Sequence, residues 1–518
     1  MDRRYLYITV FVSGMTVLAI ELSAARLLGS VFGTSNLVWA SIIGLILIYL
    51  TAGYFIGGYV ADRYPTSKMM YKILAWAAFT AGLVPLIARP VLRMAADAFD
   101  QLALGVLFGS FSVVLILFII PVTLLGMISP FAIRLAIREP SEVGRISGQV
   151  YAISTLGSFL GTFLPVLLLI PLIGTTLTFT GFSLFLLLFA LYGLWRESGW
   201  QVVLRLAWMP LVLILLTILL SGGTIKKTQG QIFEKESNYN YIQVLEMEGY
   251  RYLRLNEGQG YHSMWHPSEL DFNGPWKQFL VAPFFNTPEY APENVESMAI
   301  IGLAAGTTAR QATEVFGTIP IDGFEIDPGI IEVGRQYFDM NLPNLNAAAE
   351  DGRLGLAQSK KRYTIIGIDA YRPPYIPWHL TTNEFFELVY NHLTEDGVMV
   401  INVGRAPNDR RLIDGLAGTI NSIFPTVYVM DLPNSFNSII YASVQPTEIQ
   451  NLYANLLYLY TRPDIDPLLI EAIELFVSNQ QPTPKSQVIF TDDLAPVEWI
   501  TNNMVLNFIL RGDMEGLR

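Results

Sequence analysis

Of the acids between residues 325 and 369, three, Glu325, Asp351 and Asp369, stand where a turn or loop is expected to begin, and a loop of small residues precedes them. The loop is Gly302-Leu303-Ala304-Ala305-Gly306-Thr307, lying between a segment that reads as a strand and one that reads as a helix. Side chains as small as those of Gly302, Ala304 and Gly306 let backbone N–H groups come close to a ligand. Glu325 ends the next strand within Phe324-Glu325-Ile326-Asp327-Pro328. A carboxylate there accepts both hydrogen bonds of a ribose diol, and Pro328 opens the helix that follows. Asp351, in Glu350-Asp351-Gly352-Arg353, is expected on a loop before the next strand, with Gly352 beside it, where it can accept from an adenine amino group. Asp369 closes a further apolar run, 363–368. Any one of these acids alone is an ordinary turn residue. Their order at successive strand ends points to a nucleoside site.

The elements that must position these loops are legible on either side of them. Strands are expected at 297–302, 319–325, 363–368 and 397–403, separated by helices at 307–315, 328–338 and 382–394. Regular alternation of that kind gives a parallel, doubly wound sheet with its ligand at the carboxyl ends of the strands. Ahead of it, 239–246 and 250–256 alternate like a β-hairpin turning at Glu248-Gly249.

Such a domain explains only the second half of the 518 residues. The whole chain is 52% hydrophobic, and its mean hydropathy of +0.41 is too high for a soluble enzyme. Seven apolar stretches, near 5–29, 37–61, 70–92, 103–133, 146–172, 175–195 and 203–221, are each long enough to span about 30 Å of hydrocarbon. The expected division is therefore a multi-span helical bundle, 1–222, followed by an α/β domain, 223–518. Pro121 and Pro130 interrupt the fourth stretch and suggest a kink or a re-entrant segment. Gly53, Gly57, Gly58, Gly157 and Gly161 suggest close helix packing. Glu21 and Arg26 lie inside the first span, where ionisable groups are costly and mark either a polar pathway or a structural pair elsewhere in the bundle.

Charge is divided unevenly, with a net +5 over 1–222 and −16 over the remainder. The acidic half favours cationic small molecules and argues against nucleic acid. Cysteine is absent and histidine numbers four, which leaves no thiolate chemistry and no basis for a metal centre. Arg3, Arg4, Arg63, Lys68, Lys72, Arg134, Arg138, Arg145, Arg196 and Arg205 fall on one side if the spans alternate, which puts the N-terminus in the cytoplasm. Seven crossings would then leave the second half outside.

With Glu325-Ile326-Asp327-Pro328, Glu350-Asp351-Gly352-Arg353 and the Asp369 strand end in this order, the chain resembles the polyamine aminopropyltransferases. More particularly, it resembles their membrane-fused, spermidine-synthase-like branch. Glu236-Ser237-Asn238-Tyr239-Asn240 resembles the segment that opens the synthase domain, and Asp492-Asp493-Leu494-Ala495-Pro496-Val497-Glu498 the tail of the membrane branch. The resemblance implies a Rossmann-like fold of the S-adenosylmethionine-binding type, with decarboxylated S-adenosylmethionine as donor, methylthioadenosine as product and a polyamine such as putrescine as acceptor. It implies that Glu325 holds the ribose, Asp351 the adenine, and Asp369 acts as general base. Asn240 stands where the family has a glutamine at the donor. Tyr239, Tyr371 and Tyr375 are candidates for the amine pocket, as are Asp492, Asp493 and Glu498 as replacement carboxylates. Two family aspartates are missing, at Ala305 in the glycine-rich loop and at Arg372. Two rival readings use the same site: methyl transfer from S-adenosylmethionine itself, and a transporter or sensor whose nucleoside domain is not catalytic. A multi-pass location in the cell membrane's lipid bilayer, a homodimer, no metal, and a second half facing the cytoplasm, where the donor is made, complete the expectations.

Overall fold

The computed structural model describes residues 3–32, 36–102, 106–220, 228–256, 260–371, 375–406 and 408–511. It divides into two compact units, Met1–Lys227 and Thr228–Arg518.

The first unit is helical: α1 (Arg3–Phe32), α2 (Asn36–Arg63), α3 (Ser67–Leu102), α4 (Val106–Gly126), α5 (Ile128–Ala136), α6 (Val143–Leu164), α7 (Ile170–Ser198), α8 (Trp200–Leu204) and α9 (Trp208–Leu220). Among the described residues six stretches are long and apolar enough to cross a membrane. One of them, Pro140–Ser198, runs for 59 residues. As a single straight helix it would reach about 90 Å, roughly three times a hydrocarbon core. Gly174 breaks it, with φ 81° and ψ 167°, into two segments, each long enough to span such a core. α1 and α6 run parallel in close contact, because a Cβ on Gly157 or Gly161 would lie 2.1 or 2.0 Å from the carbonyl oxygens of Phe11 and Met15. Gly53 and Gly57 likewise press α2 against α4 and the start of α5. Gly58, expected to pack in the same way, instead faces open space. Basic residues gather at one end, where Glu142 pairs with Arg3 and Arg145, both at 2.6 Å. Glu21 and Arg26 are both half-buried along α1.

The second unit opens with an antiparallel sheet of β1 (Gln231–Glu236), β2 (Tyr241–Met247), β3 (Tyr250–Leu255) and β4 (Ser263–Trp265), in that order. Glu248 and Gly249 both have positive φ, 54° and 87°, the two-residue turn that suits a twisted hairpin. The hairpin expected from the sequence is thus the middle of a four-stranded sheet.

The main sheet follows with β5 (Met298–Ile301), α10 (Thr307–Phe316), β6 (Ile321–Glu325), α11 (Pro328–Tyr337), β7 (Leu345–Ala349), α12 (Gly352–Gln358), β8 (Tyr363–Ile368), α13 (Asn383–Asn391) and β9 (Leu393–Gly404). Beyond these lie α14 (Arg411–Asn421), β10 (Thr426–Asp431), β11 (Asn437–Ser443), α15 (Ile449–Tyr460), α16 (Pro467–Asn479), β12 (Gln480–Gln481) and α17 (Val497–Arg511). The order across the sheet is β12-β10-β11-β9-β8-β5-β6-β7. β5 to β9 are parallel, while β10, β11 and β12 add antiparallel strands at one edge, so the sheet is mixed rather than wholly parallel. Alternate residues of the central strands feed two cores: Met298, Ile300, Ile365, Val398 and Val400 on one face, Ala299, Ile301, Ile366, Met399 and Ile401 on the other. Burial on both faces explains why these strands read as continuous apolar runs.

Candidate active site

The sheet changes direction between β5 and β8: β6 and β7 continue from β5 on one side, and β9 follows β8 on the other. At such a switch point the loops leaving the two central strands diverge and open a crevice. Here the loop after β5 and the end of β8 are in direct contact. The Asp369 N–H donates to the Ile301 carbonyl at 2.8 Å. Gly302, with φ 84°, lies so close that a Cβ would meet the Ala370 nitrogen at 2.6 Å. Only glycine meets both conditions at once.

Ala304 also takes up a left-handed backbone, φ 49°, a conformation uncommon for a residue with a Cβ. The turn aims its N–H at Glu325, donating to Oε2 at 3.0 Å, while the Asp327 N–H donates to Oε1 at 3.1 Å. Glu325 is buried, and desolvation pushes its carboxyl up to about 7 in spite of those two bonds. The Ala305 N–H donates to Ser263 Oγ at 2.9 Å, and Thr307 Oγ1 bonds both backbone groups of Met264, so β4 clamps the glycine-rich loop. Gly306 caps α10 with φ 84°.

Asp351 does not lie on a plain loop. It follows β7, a strand absent from the sequence reading, and caps α12, accepting through Oδ1 from the Arg353 and Leu354 N–H groups at 3.0 and 3.1 Å. Its Oδ2 lies 3.0 Å from His379 Nε2, and that hydrogen bond, more than the helix cap, holds the carboxyl below its usual range. Gly352 packs against β5, where a Cβ would come within 2.4 Å of Ile301 Cγ2.

Asp369 is enclosed by protein while keeping part of its surface open. Burial pushes its carboxyl up to about 7, opposed by a single hydrogen bond from Asn402 Nδ2 to Oδ1 at 2.9 Å. Tyr371 donates its hydroxyl to the Asn402 carbonyl at 3.1 Å, and burial raises its phenol well above the ordinary value. Tyr375 is buried and donates to Asn502.

The remaining candidates are placed as follows. Asn240 donates to Asp327 Oδ2 at 2.9 Å and accepts from Asn256 at 2.8 Å, tying the start of β2 to the buried Asp327. Tyr239 and Asp493 are exposed and Glu498 is half-buried. Both oxygens of Asp492 pair with Arg353. Arg372 lies outside the described residues. Sequence reasoning overlooked Ser263, Arg353, His379 and Asn402. His262 and His266, half of the chain's histidines within five residues, were the available signal for β4.

Residues 284–452 match the spermine/spermidine synthase domain. Over that match the second unit is similar to the spermidine synthase-like family. A probable polyamine aminopropyl transferase of Bifidobacterium longum is 30% identical over 51% of this chain and 61% of its own length. A polyamine aminopropyltransferase of Vibrio vulnificus is 29% identical over 43% of this chain and 75% of its own. The crystal structure of a probable spermidine synthase from Corynebacterium glutamicum aligns with 54% of this chain and 94% of its own, at 16% identity and a TM-score of 0.39. In this spermidine synthase-like unit, Glu325, Asp351 and Asp369 stand at or just beyond the carboxyl ends of β6, β7 and β8, around the loop after β5.

Proposed function

We propose that the protein is a membrane-anchored aminopropyltransferase that moves an aminopropyl group from decarboxylated S-adenosylmethionine to a polyamine such as putrescine. The convergence of three carboxylates on the switch point of a synthase-like unit carries this reading. Each Glu325 oxygen accepts one backbone N–H, which leaves each a further lone pair for one of the two ribose hydroxyls. Asp351 Oδ2 and the adjoining Gly352 backbone serve the adenine edge. The donor needs a counter-charge for its amine; Ala305 supplies none, so that group must be met elsewhere in the pocket.

The acceptor amine, with an ordinary pKa above about 10, arrives protonated and cannot attack. Asp369, beside the glycine-rich loop and held up at about 7 by burial, is partly ionised at neutral pH and takes that proton in an uphill transfer, smaller than to an ordinary carboxylate, that attack by the freed lone pair makes irreversible. The freed lone pair attacks the carbon next to the sulfonium. The carbon–sulfur bond breaks with its electron pair going to sulfur, neutral methylthioadenosine leaves, and the proton stays on Asp369. Holding nitrogen and carbon in line contributes much of the rate. Tyr371 and Tyr375 supply aromatic surface for an alkyl chain.

Methyl transfer is the second reading, favoured by Ala305, which presents no negative charge to the carboxylate that S-adenosylmethionine retains. Product analysis separates the two: purified protein with decarboxylated donor and a panel of diamines is expected to release methylthioadenosine. Methylation from S-adenosylmethionine with no methylthioadenosine release would overturn the proposal.

A further inference from the structure

The segment from Phe490 to Asn502 has no part in the chemistry above, yet it touches both loops that perform it. Phe490 anchors it. Its ring is 1% exposed and packs where a Cβ on Gly415 would come within 2.4 Å. Its N–H donates to Thr419 Oγ1 at 2.9 Å, and its carbonyl accepts from the Asn383 N–H at 2.8 Å. Two residues on, Asp492 takes a forked ion pair from Arg353, Nη1 and Nη2 each 2.7 Å from a different carboxylate oxygen. Thr382 Oγ1 donates to the same carboxylate at 2.7 Å, and the Asp492 N–H donates to Glu384 at 3.0 Å. Farther along, Asn502 accepts from Tyr375 in the loop after Asp369.

Arg353 links this segment to the nucleoside side. Its Nη1 also donates to the His379 carbonyl at 3.0 Å, and the His379 ring meets Asp351 Oδ2. A guanidinium is planar, so the fork on Asp492 fixes the direction in which Nη1 points. Without Asp492, Arg353 loses the fork that sets its plane, and its single bond to the His379 carbonyl holds that residue less firmly. Asp351 still caps α12 through Oδ1, so the loop keeps its fold while Oδ2 loses a fixed orientation.

We propose that Asp492 is a positioning residue for the nucleoside, acting through Arg353 and His379 on the Asp351 carboxylate. This rests on the reading of Asp351 as the adenine acceptor. The test uses the full chain in detergent, with calorimetric binding of methylthioadenosine and steady-state kinetics with the decarboxylated donor. Asp492→Asn is expected to raise the Kd for methylthioadenosine and the donor KM about tenfold, the scale of an orienting contact left loose. The kcat at saturating donor should stay within about twofold. Asp492→Glu, which keeps the charge, should recover part of the affinity. Arg353→Lys, which keeps the charge but loses the fork, should resemble Asp492→Asn. Wild-type affinity in Asp492→Asn, or a fall in kcat with KM unchanged, would overturn the proposal. If the wild-type protein itself binds no methylthioadenosine, the nucleoside reading fails first and takes this inference with it.

Discussion

Replacing Asp369 with asparagine is expected to stabilise the second unit while stopping the reaction, and both effects come from the same burial. The carboxyl is held at about 7 against an ordinary 3.8. In the unfolded chain it ionises near the ordinary value, so folding favours the neutral form. The stability this group contributes is complete below about pH 4 and is lost as the pH rises to about 7. A gap of about three pH units at ~1.4 kcal/mol each comes to about 4 kcal/mol. The side chain keeps some solvent contact, which halves the figure to about 2 kcal/mol. Asparagine is neutral at every pH and still accepts the Asn402 hydrogen bond, so Asp369→Asn should gain about 2 kcal/mol near pH 8 and under about 1 kcal/mol near pH 5. Hydrogen exchange of the β8 and β9 amides reads this opening free energy in the intact protein. The rate of methylthioadenosine release should fall by about 10²-fold or more, since the amide cannot take the proton. An equal gain at both pH values, or a loss near pH 8, would refute the burial argument. Undiminished turnover would refute the role of Asp369 as base.

Glu325→Gln is expected to weaken methylthioadenosine binding by about 1–3 kcal/mol in titration calorimetry. Because burial holds Glu325 at about 7, wild-type affinity should fall as the pH drops below that value, and the variant should lack this dependence. Gly302→Ala places a Cβ 2.6 Å from the Ala370 nitrogen at φ 84°; a cost above about 2 kcal/mol and loss of methylthioadenosine release are expected, and full activity would show that the contact yields. Gly161→Val in α6 meets the Met15 carbonyl at 2.0 Å and should lower the melting temperature of the detergent-solubilised protein, an unchanged value contradicting the close α1–α6 packing. A reporter fused after Arg518 is expected to signal from the cytoplasm, where the donor is made, and an extracytoplasmic signal would mean that the charge bias of the spans governs instead.

The βα alternation through the site was legible because β5, β8 and the second half of β9 are largely apolar on both faces and, with β6, are bounded by turn residues, and Glu325 and Asp369 were legible at or just past the ends of β6 and β8. β7 was missed because Leu345-Asn346-Ala347-Ala348-Ala349 has no β-branched or aromatic residue; pairing with β6, not propensity, makes it a strand. That omission put Asp351 on a loop instead of at a helix cap. The antiparallel strands β10 and β11 lie past the last segment that alternated clearly. Asp492 showed in the sequence as a candidate carboxylate for the amine pocket, because Arg353, which occupies both its oxygens, lies 139 positions away. In the first unit, the spacing of apolar runs located the breaks near 173–174, but the packing of Gly53 and the openness at Gly58 depend on helix rotation, which composition does not reveal.

The contact between Gly302 and the Asp369–Ala370 peptide has a consequence for how such a site diversifies. The loop after β5 and the end of β8 meet backbone to backbone with no side chain between them, so a shift of either presses on the other. Room for change lies around Tyr371 and Tyr375, the latter fastened by Asn502. On the proposed function, the donor loop and the proton acceptor thus form one mechanical part, and a new nucleophile is accommodated by changing the residues around Tyr375 and the tail that holds it.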